Sequence, residues 1–239
     1  MYKDKRILAI IPARGGSKGL PDKNIKMLID KPLVAWSIQH AQESKYIDTI
    51  FVSTDSEEIA NVSEKHGVKV SSLRPEELST DTATSMDVML HTIQLFEKQN
   101  IYFDIIIMLE PTSPLREVKD IDNSIEMLVD TKDAESVVGV CEIEGGHPDF
   151  LVELNNNFLI PYVNKDFTVK RRQDIKTMFF FEGTVYTSYV NSIKSRKNFY
   201  HEKTLAYIVP KWKSFEVDDL WDFVIIEAIL KEKLNKETK

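Results

Sequence analysis

Arg14, Lys18 and Lys23 place three cations within ten residues of one another, in the stretch Ile10-Ile11-Pro12-Ala13-Arg14-Gly15-Gly16-Ser17-Lys18-Gly19-Leu20-Pro21-Asp22-Lys23-Asn24. Its glycines let the backbone approach a ligand and turn N–H groups toward an anion, and its two prolines stop it from continuing as strand or helix. Charge and backbone together suit a nucleoside triphosphate; the plainer alternative is a solvated basic turn. The spacing is not that of a Walker loop. A second stretch, Glu110-Pro111-Thr112-Ser113-Pro114-Leu115-Arg116, offers hydroxyls at Thr112 and Ser113 and a guanidinium that either binds an anion or anchors the loop. Near the C-terminus, Glu216, Asp218, Asp219 and Asp222 put four carboxylates into seven residues. Capping of a following helix accounts for one or two of them. Glu216 and Asp218, two apart in an extended piece, would project the same way and suit Mg²⁺, which takes one or two carboxylates plus water and phosphate oxygens.

The elements that must hold these residues alternate along the chain. Strands are expected at Ile7–Ile11, Thr49–Ser53, Val68–Ser71, Ile105–Leu109 and Ser136–Cys141. Helices are expected over Pro32–Ser44, from a cap at Asp55 to His66 with Gly67 closing it, and over Ser85–Gln99 and Val118–Thr131. Strands separated by such helices imply right-handed crossovers, hence an α/β fold of Rossmann-like type with a mainly parallel sheet covered on both faces. Ligands bind beyond the carboxyl ends of such strands, where both the first loop and the Glu110–Arg116 stretch fall. From Gly145-Gly146-His147-Pro148 onward the pattern shifts to short hairpin-like pieces, so residues 143–175 form a smaller lobe inserted in a single domain spanning 1–239. Strand-like segments return at Thr184–Tyr186 and Leu205–Val209. A helix from Asp219 to Lys233 precedes a frayed tail, Asn235 to Lys239.

Composition sets the outer limits. The 239 residues carry a formal charge of −7, and 42% are hydrophobic. That suffices for a large core, and the charge argues against a nucleic-acid groove, which needs a basic face. The single cysteine, Cys141, lies in the apolar run Val137–Cys141 and excludes an internal disulfide or a cysteine metal cage. No apolar run nears the length of a membrane span, and a cytoplasmic location is the default expectation.

In order along the chain, Pro12-Ala13-Arg14 through Gly19-Leu20-Pro21-x-Lys23-Asn24, then Thr54-Asp55, Arg74-Pro75-x-x-Leu78, Pro111-Thr112-Ser113-Pro114-Leu115-Arg116, Arg172-Gln173-Asp174 and Val217-Asp218 resemble the acylneuraminate cytidylyltransferases. The resemblance runs from about residue 7 to 225. It implies a nucleotide-diphospho-sugar-transferase type of sheet. It also implies CTP and a nonulosonic acid as substrates, a CMP-sugar and pyrophosphate as products, Mg²⁺, and a homodimer made through the smaller lobe. By that resemblance Arg14, Lys18 and Asp218 are the catalytic residues. Ala13, Gly15, Gly16, Ser17, Lys23, Asn24, Arg74 and the hydroxyl of Thr84 or Ser85 would serve the nucleotide. Glu110, Thr112, Ser113, Arg172, Gln173, Glu182 and Tyr186 would line the sugar site, and Asp218 with Glu216 would hold the metal. Arginine suits a sugar carboxylate because its guanidinium can donate two parallel hydrogen bonds.

Three acids depart from the family pattern: Glu110 where a glutamine is usual, Glu182 where an asparagine is common, and Glu216 in place of the first aspartate of an Asp-x-Asp pair. Glu110 and Glu182 cannot donate as amides do and would repel an acidic sugar unless paired. They point to an altered acceptor, such as an amino- or amidino-substituted relative or a related sugar phosphate. Two rival functions are a sugar-1-phosphate nucleotidyltransferase using another nucleotide and a catalytically silent nucleotide-binding protein.

Overall fold

A computed structural model describes residues 1–17, 19–163 and 171–237. In chain order the elements are β1 (Ile7–Pro12), β2 (Met27–Leu28), β3 (Lys31–Pro32), α1 (Leu33–Glu43), β4 (Thr49–Ser53), α2 (Glu57–Lys65), α3 (Ser85–Glu97), β5 (Ile105–Met108), α4 (Val118–Asp130) and β6 (Ser136–Glu142). They continue with β7 (Val152–Asn155), β8 (Phe158–Pro161), β9 (Phe179–Tyr189), α5 (Val190–Arg196), β10 (Thr204–Val209) and α6 (Leu220–Glu237).

The central sheet runs β10-β6-β9-β5-β1-β4. β1 pairs in parallel with both β4 and β5, and β6 with β10, whereas β9 runs antiparallel between β5 and β6. Because side chains alternate along a strand, β1 sends Ile7, Ala9 and Ile11 to one face and Leu8 and Ile10 to the other, and all five are fully buried. The first face is covered by α1, α2 and α4 through Val34, Ile38, Ile59, Ile121 and Ile125. The second is covered by α3 and α5 through Val88, Met89, Ile93 and Ile193. Burial on both faces is why β1, β5 and β6 read as continuous apolar runs. The chain leaves β1 toward β4 on one side and returns to β5 on the other. That reversal opens a crevice at the carboxyl ends of β1 and β5.

Several expectations need correction. No strand forms at Val68–Ser71. Past β4 the chain peels away, and Arg74 N–H donates to Thr54 O at 2.7 Å, carrying Arg74 to the crevice. The cap of α2 is Ser56, whose hydroxyl accepts from Ile59 N–H, because Asp55 is engaged elsewhere. The strand expected at Thr184–Tyr186 is the centre of an eleven-residue one, β9. α6 continues past Lys233 to Glu237, supported by the Glu232–Lys236 ion pair at 3.1 Å. In the smaller lobe β7 and β8 form a hairpin turned by Asn156 and Asn157, both at positive φ (45° and 69°) as a tight hairpin turn requires. Residues 164–170 of that lobe lie outside the described residues.

Candidate active site

A cleft of about 490 Å³ opens at the carboxyl edge of the sheet. The loop after β1 lines it with Arg14, Ser17, Gly19, Lys23 and Asn24, and the segment before α3 with Arg74, Asp81, Thr84 and Ser85. Glu110 and Thr112 follow β5, and Asp218 precedes α6.

The first loop is held by its own polar contacts. Gly15 N–H donates to Asp55 Oδ1 at 2.9 Å, and Asn24 Nδ2 donates to Arg14 O at 2.9 Å. Arg14 Nη1 meets Asp81 Oδ1 at 3.0 Å. Arg74 is buried; its Nη2 has no hydrogen-bond partner and stands 3.7 Å from Asp55 Oδ1. Burial lowers its pKa. The loop also touches the far end of the chain. A side chain at Gly19 would put its Cβ 2.3 Å from Asp218 O, a distance only glycine avoids. Lys23 Nζ donates to Val217 O at 2.7 Å and lies 3.7 Å from Asp218 Oδ1. Val217 N–H in turn donates to Thr112 O at 2.8 Å. Segments some two hundred residues apart are thereby latched into one wall.

Behind that wall Arg116 is an anchor. It is fully buried and donates to the carbonyls of Glu110 (3.0 Å), Gly183 (3.3 Å) and Thr184, and to Ser37 Oγ at 3.1 Å. Burial lowers its pKa to about 10, so it stays charged. The acids before α6 divide their work. Asp219 Oδ1 accepts from Trp221 and Asp222 N–H, and Asp222 Oδ2 from Asp218 and Asp219 N–H. These two cap the helix. Glu216 accepts from Gly183 N–H, and Asp218 leaves its carboxylate 85% exposed at the cleft.

The other expected site residues are placed as follows. Ala13 is buried at the end of β1, with its N–H on Ser53 O, and Gly16 faces open space. Lys18 lies outside the described residues. Thr84 is committed to capping α3: its Oγ1 accepts from Asp87 N–H and donates to Asp87 Oδ2, which leaves Ser85 as the freer hydroxyl in the cleft. Ser113, Glu182, Tyr186 and Glu216 are not on the cleft surface. Ser113 is buried and its Oγ has no hydrogen-bond partner. Tyr186 packs in the core on Phe199, its ring centroid 5.5 Å away. Glu182 is folded over Gly139 and accepts from Thr184 N–H and Oγ1. Arg172 and Gln173 sit in a short 3-10 turn of the lobe; Gln173 is exposed and does not reach the cleft within one chain.

Of the two non-amide departures, Glu110 alone lines the cleft, so any altered acceptor preference rests on it. Burial, with the nearby Glu216 carboxylate, pushes the Glu110 carboxyl up to about 7. Burial pushes Glu182 up to about 7 as well, and raises Glu216. Asp55, which holds the first loop from behind, and Asp81, which lines the cleft, have roles that the sequence pattern did not single out as such, since their partners lie 40 and 67 residues away.

Asp218 offers the cleft an oxygen donor of the kind Mg²⁺ takes, while Glu216, whose carboxylate accepts from Gly183 N–H, stands behind the cleft surface. Among the described residues no group of three or more potential ligands stands together. The pair would therefore need substrate oxygens and water to complete a coordination sphere, as Mg²⁺ sites often do.

Comparison with known proteins places this geometry among relatives. A family described as Cytidylyltransferase matches residues 8–209. The chain is 33% identical over 235 residues to the CMP-N,N'-diacetyllegionaminic acid synthase of Legionella pneumophila, covering 97% of this chain and 98% of that protein. It is 32% identical over 229 residues to the N-acylneuraminate cytidylyltransferase of Escherichia coli, covering 95% of this chain but 53% of that protein, about half its length. The solved structure of CMP:2-keto-3-deoxy-manno-octonic acid synthetase complexed with CTP superposes with a TM-score of 0.69 at 16% identity, covering 95% of this chain and 99% of that one. At that identity the likeness speaks for the fold.

Proposed function

The chain belongs to the cytidylyltransferase family, and from that premise we propose that it transfers CMP from CTP to the hydroxyl of a nonulosonic acid, releasing pyrophosphate. The observation that carries the reading is the latch between the first loop and Val217–Asp218. It brings Arg14, Lys23 and the exposed Asp218 carboxylate to one cleft.

In that cleft Arg14 and Lys23, with Lys18 from the same loop, neutralise the triphosphate and the charge that grows on the departing pyrophosphate. Arg14 exchanges Asp81 for phosphate when nucleotide arrives. Arg74 and Ser85 face the base and ribose. Asp218, with Glu216 behind it, would hold Mg²⁺, which when bound would supply charge screening for the phosphate oxygens and the leaving group. Glu110 and Thr112 border the acceptor.

The smaller lobe supports a homodimer. Leu154, Phe158, Leu159 and Tyr162 are 72%, 77%, 56% and 61% exposed, and Phe181 on neighbouring β9 is 59% exposed. An apolar surface of this kind, carried on a two-stranded hairpin too small to be stable alone, calls for a partner, and a second copy supplies it. Among the described residues no helix is long and apolar enough to cross a membrane.

The test is pyrophosphate release with Mg²⁺, each of the four nucleoside triphosphates, and a panel of nonulosonic acids and sugar 1-phosphates. Release with CTP and at least one nonulosonic acid is expected. Release with UTP or GTP and a sugar 1-phosphate, and none with CTP and any keto-acid sugar, would overturn the reading.

A further inference from the structure

Transfer to a hydroxyl needs a group to take its proton, and the cleft offers few. Among the described residues lining it there is no histidine, and the acids are Asp81, Glu110 and Asp218. Asp81 is paired with Arg14 on the nucleotide side. Asp218 stands beside Lys23 and belongs to the proposed metal pair. Glu110 differs from both.

Its main chain is fixed: Ser37 Oγ and Arg116 Nη2 both donate to its carbonyl, at 3.2 and 3.0 Å, and Pro111 follows it. Its carboxylate accepts no hydrogen bond from any described residue and opens on the cleft beside Thr112. A carboxylate held by its backbone, with no described residue hydrogen-bonded to its oxygens, is free to act on a substrate. We infer that Glu110 is the base for the acceptor hydroxyl, an inference that rests on the cytidylyltransferase reading of the cleft.

The hydroxyl proton passes to a Glu110 oxygen as the hydroxyl oxygen bonds to the α-phosphorus. The bond from that phosphorus to the bridging oxygen breaks, its electron pair leaves on pyrophosphate, and Glu110 returns the proton to solvent. The surroundings suit the task. Arg116 and Lys23 favour the charged form, while burial, Glu216 and Asp218 oppose it. Tyr186 and Tyr200 feel its charge from the neighbouring wall. A proton affinity near neutrality is where a base is both deprotonated and strong enough to be useful.

The experiment compares wild type, Glu110→Gln and Glu110→Asp with Mg²⁺, CTP and the nonulosonic acid that wild type turns over best. For Glu110→Gln, kcat should fall about 100-fold or more, with KM for CTP within about threefold. The rise of kcat/KM with pH through about 7 should vanish. Glu110→Asp should recover part of kcat and the pH rise. Stabilisation of Glu110→Gln against heat by CTP, equal to that of wild type, shows that the nucleotide half is intact. Three results would overturn the inference: kcat within about threefold of wild type, a pH rise that survives in Glu110→Gln, or loss of CTP stabilisation alongside activity. A wild type inert with every acceptor removes the cytidylyltransferase reading itself, and the base with it; an active wild type unaffected by Glu110→Gln removes the base alone.

Discussion

The carboxyl edge of the sheet and the hairpin lobe meet their needs in opposite ways. At the edge the framework is tied together within one chain: Arg116 joins the Glu110 turn to β9, Lys23 and Gly19 lock onto Val217–Asp218, and Asp219 and Asp222 cap α6. In the lobe, among the described residues, β7 and β8 pair only with each other and turn leucine, isoleucine and phenylalanine side chains to solvent. One region is finished by its own sequence. The other is shaped to be finished by another surface. Nucleotide binding should therefore be a property of the single chain, and assembly a property of the lobe.

The sharpest way to break the first half of that contrast is Arg116→Met. The change strands the carbonyls of Glu110, Gly183 and Thr184 in a dry interior. Losing one member of a buried charged network costs about 3–5 kcal/mol. For a domain of this size the melting temperature should fall by about 6–20 °C, measured by calorimetry. A fall under 2 °C would mean that Arg116 is dispensable as an anchor.

Next in size is Gly19→Ala. Its Cβ would stand 2.3 Å from Asp218 O, so the latch must open. A displacement near 1 Å at a reacting centre can cost about 100-fold, and kcat/KM for CTP should drop on that order while melting shifts by only a few degrees.

A third test uses pH. Glu182 has a folded-state pKa raised by burial to about 7, above its unfolded value near 4.5. The folded state thus binds the extra proton between those values, and stability falls as pH rises through that window. Glu182→Gln removes the cost of the charge, so its melting temperature relative to wild type should increase between pH 5.5 and pH 8. His40, held neutral by burial with a pKa of about 3, acts in the opposite sense below its free value of 6.5. For that reason the comparison is variant against wild type at each pH.

The smallest effect on the subunit itself belongs to the lobe. Leu154→Lys with Phe158→Asp should change the stability of the isolated subunit by less than about 0.5 kcal/mol, as exposed substitutions do. In light scattering the same variant should have half the mass of wild type if wild type is the proposed homodimer. An unchanged mass would move the interface elsewhere.

These contrasts explain what was legible in the sequence. The first loop could be read because glycines, prolines and cations within a dozen residues are a local signal, and β1, β5 and β6 because burial on both faces writes an unbroken apolar run. The latch could not, since a glycine and a carbonyl some two hundred residues apart share no pattern until the fold brings them together. Asp55 looked like a helix cap because it stands just ahead of α2; only the approach of Gly15 shows otherwise. Glu182 and Tyr186 suited a sugar pocket by order along the chain. The register of β6 against β9 is irregular between Val138 and Val140, and beside that irregularity Glu182 lies over Gly139 while Tyr186 enters the core. The anchoring role of Arg116 was open from sequence, and four donated hydrogen bonds decide it.

The most direct measurement is the product itself, by mass spectrometry and phosphorus NMR, after incubation of the protein with Mg²⁺, CTP and a nonulosonic acid. A CMP conjugate of the acid, formed in step with one pyrophosphate and absent in Gly19→Ala on the same time scale, is the predicted result. Free CMP or CDP without conjugate, or a conjugate formed only from another nucleotide and a sugar 1-phosphate, would contradict it.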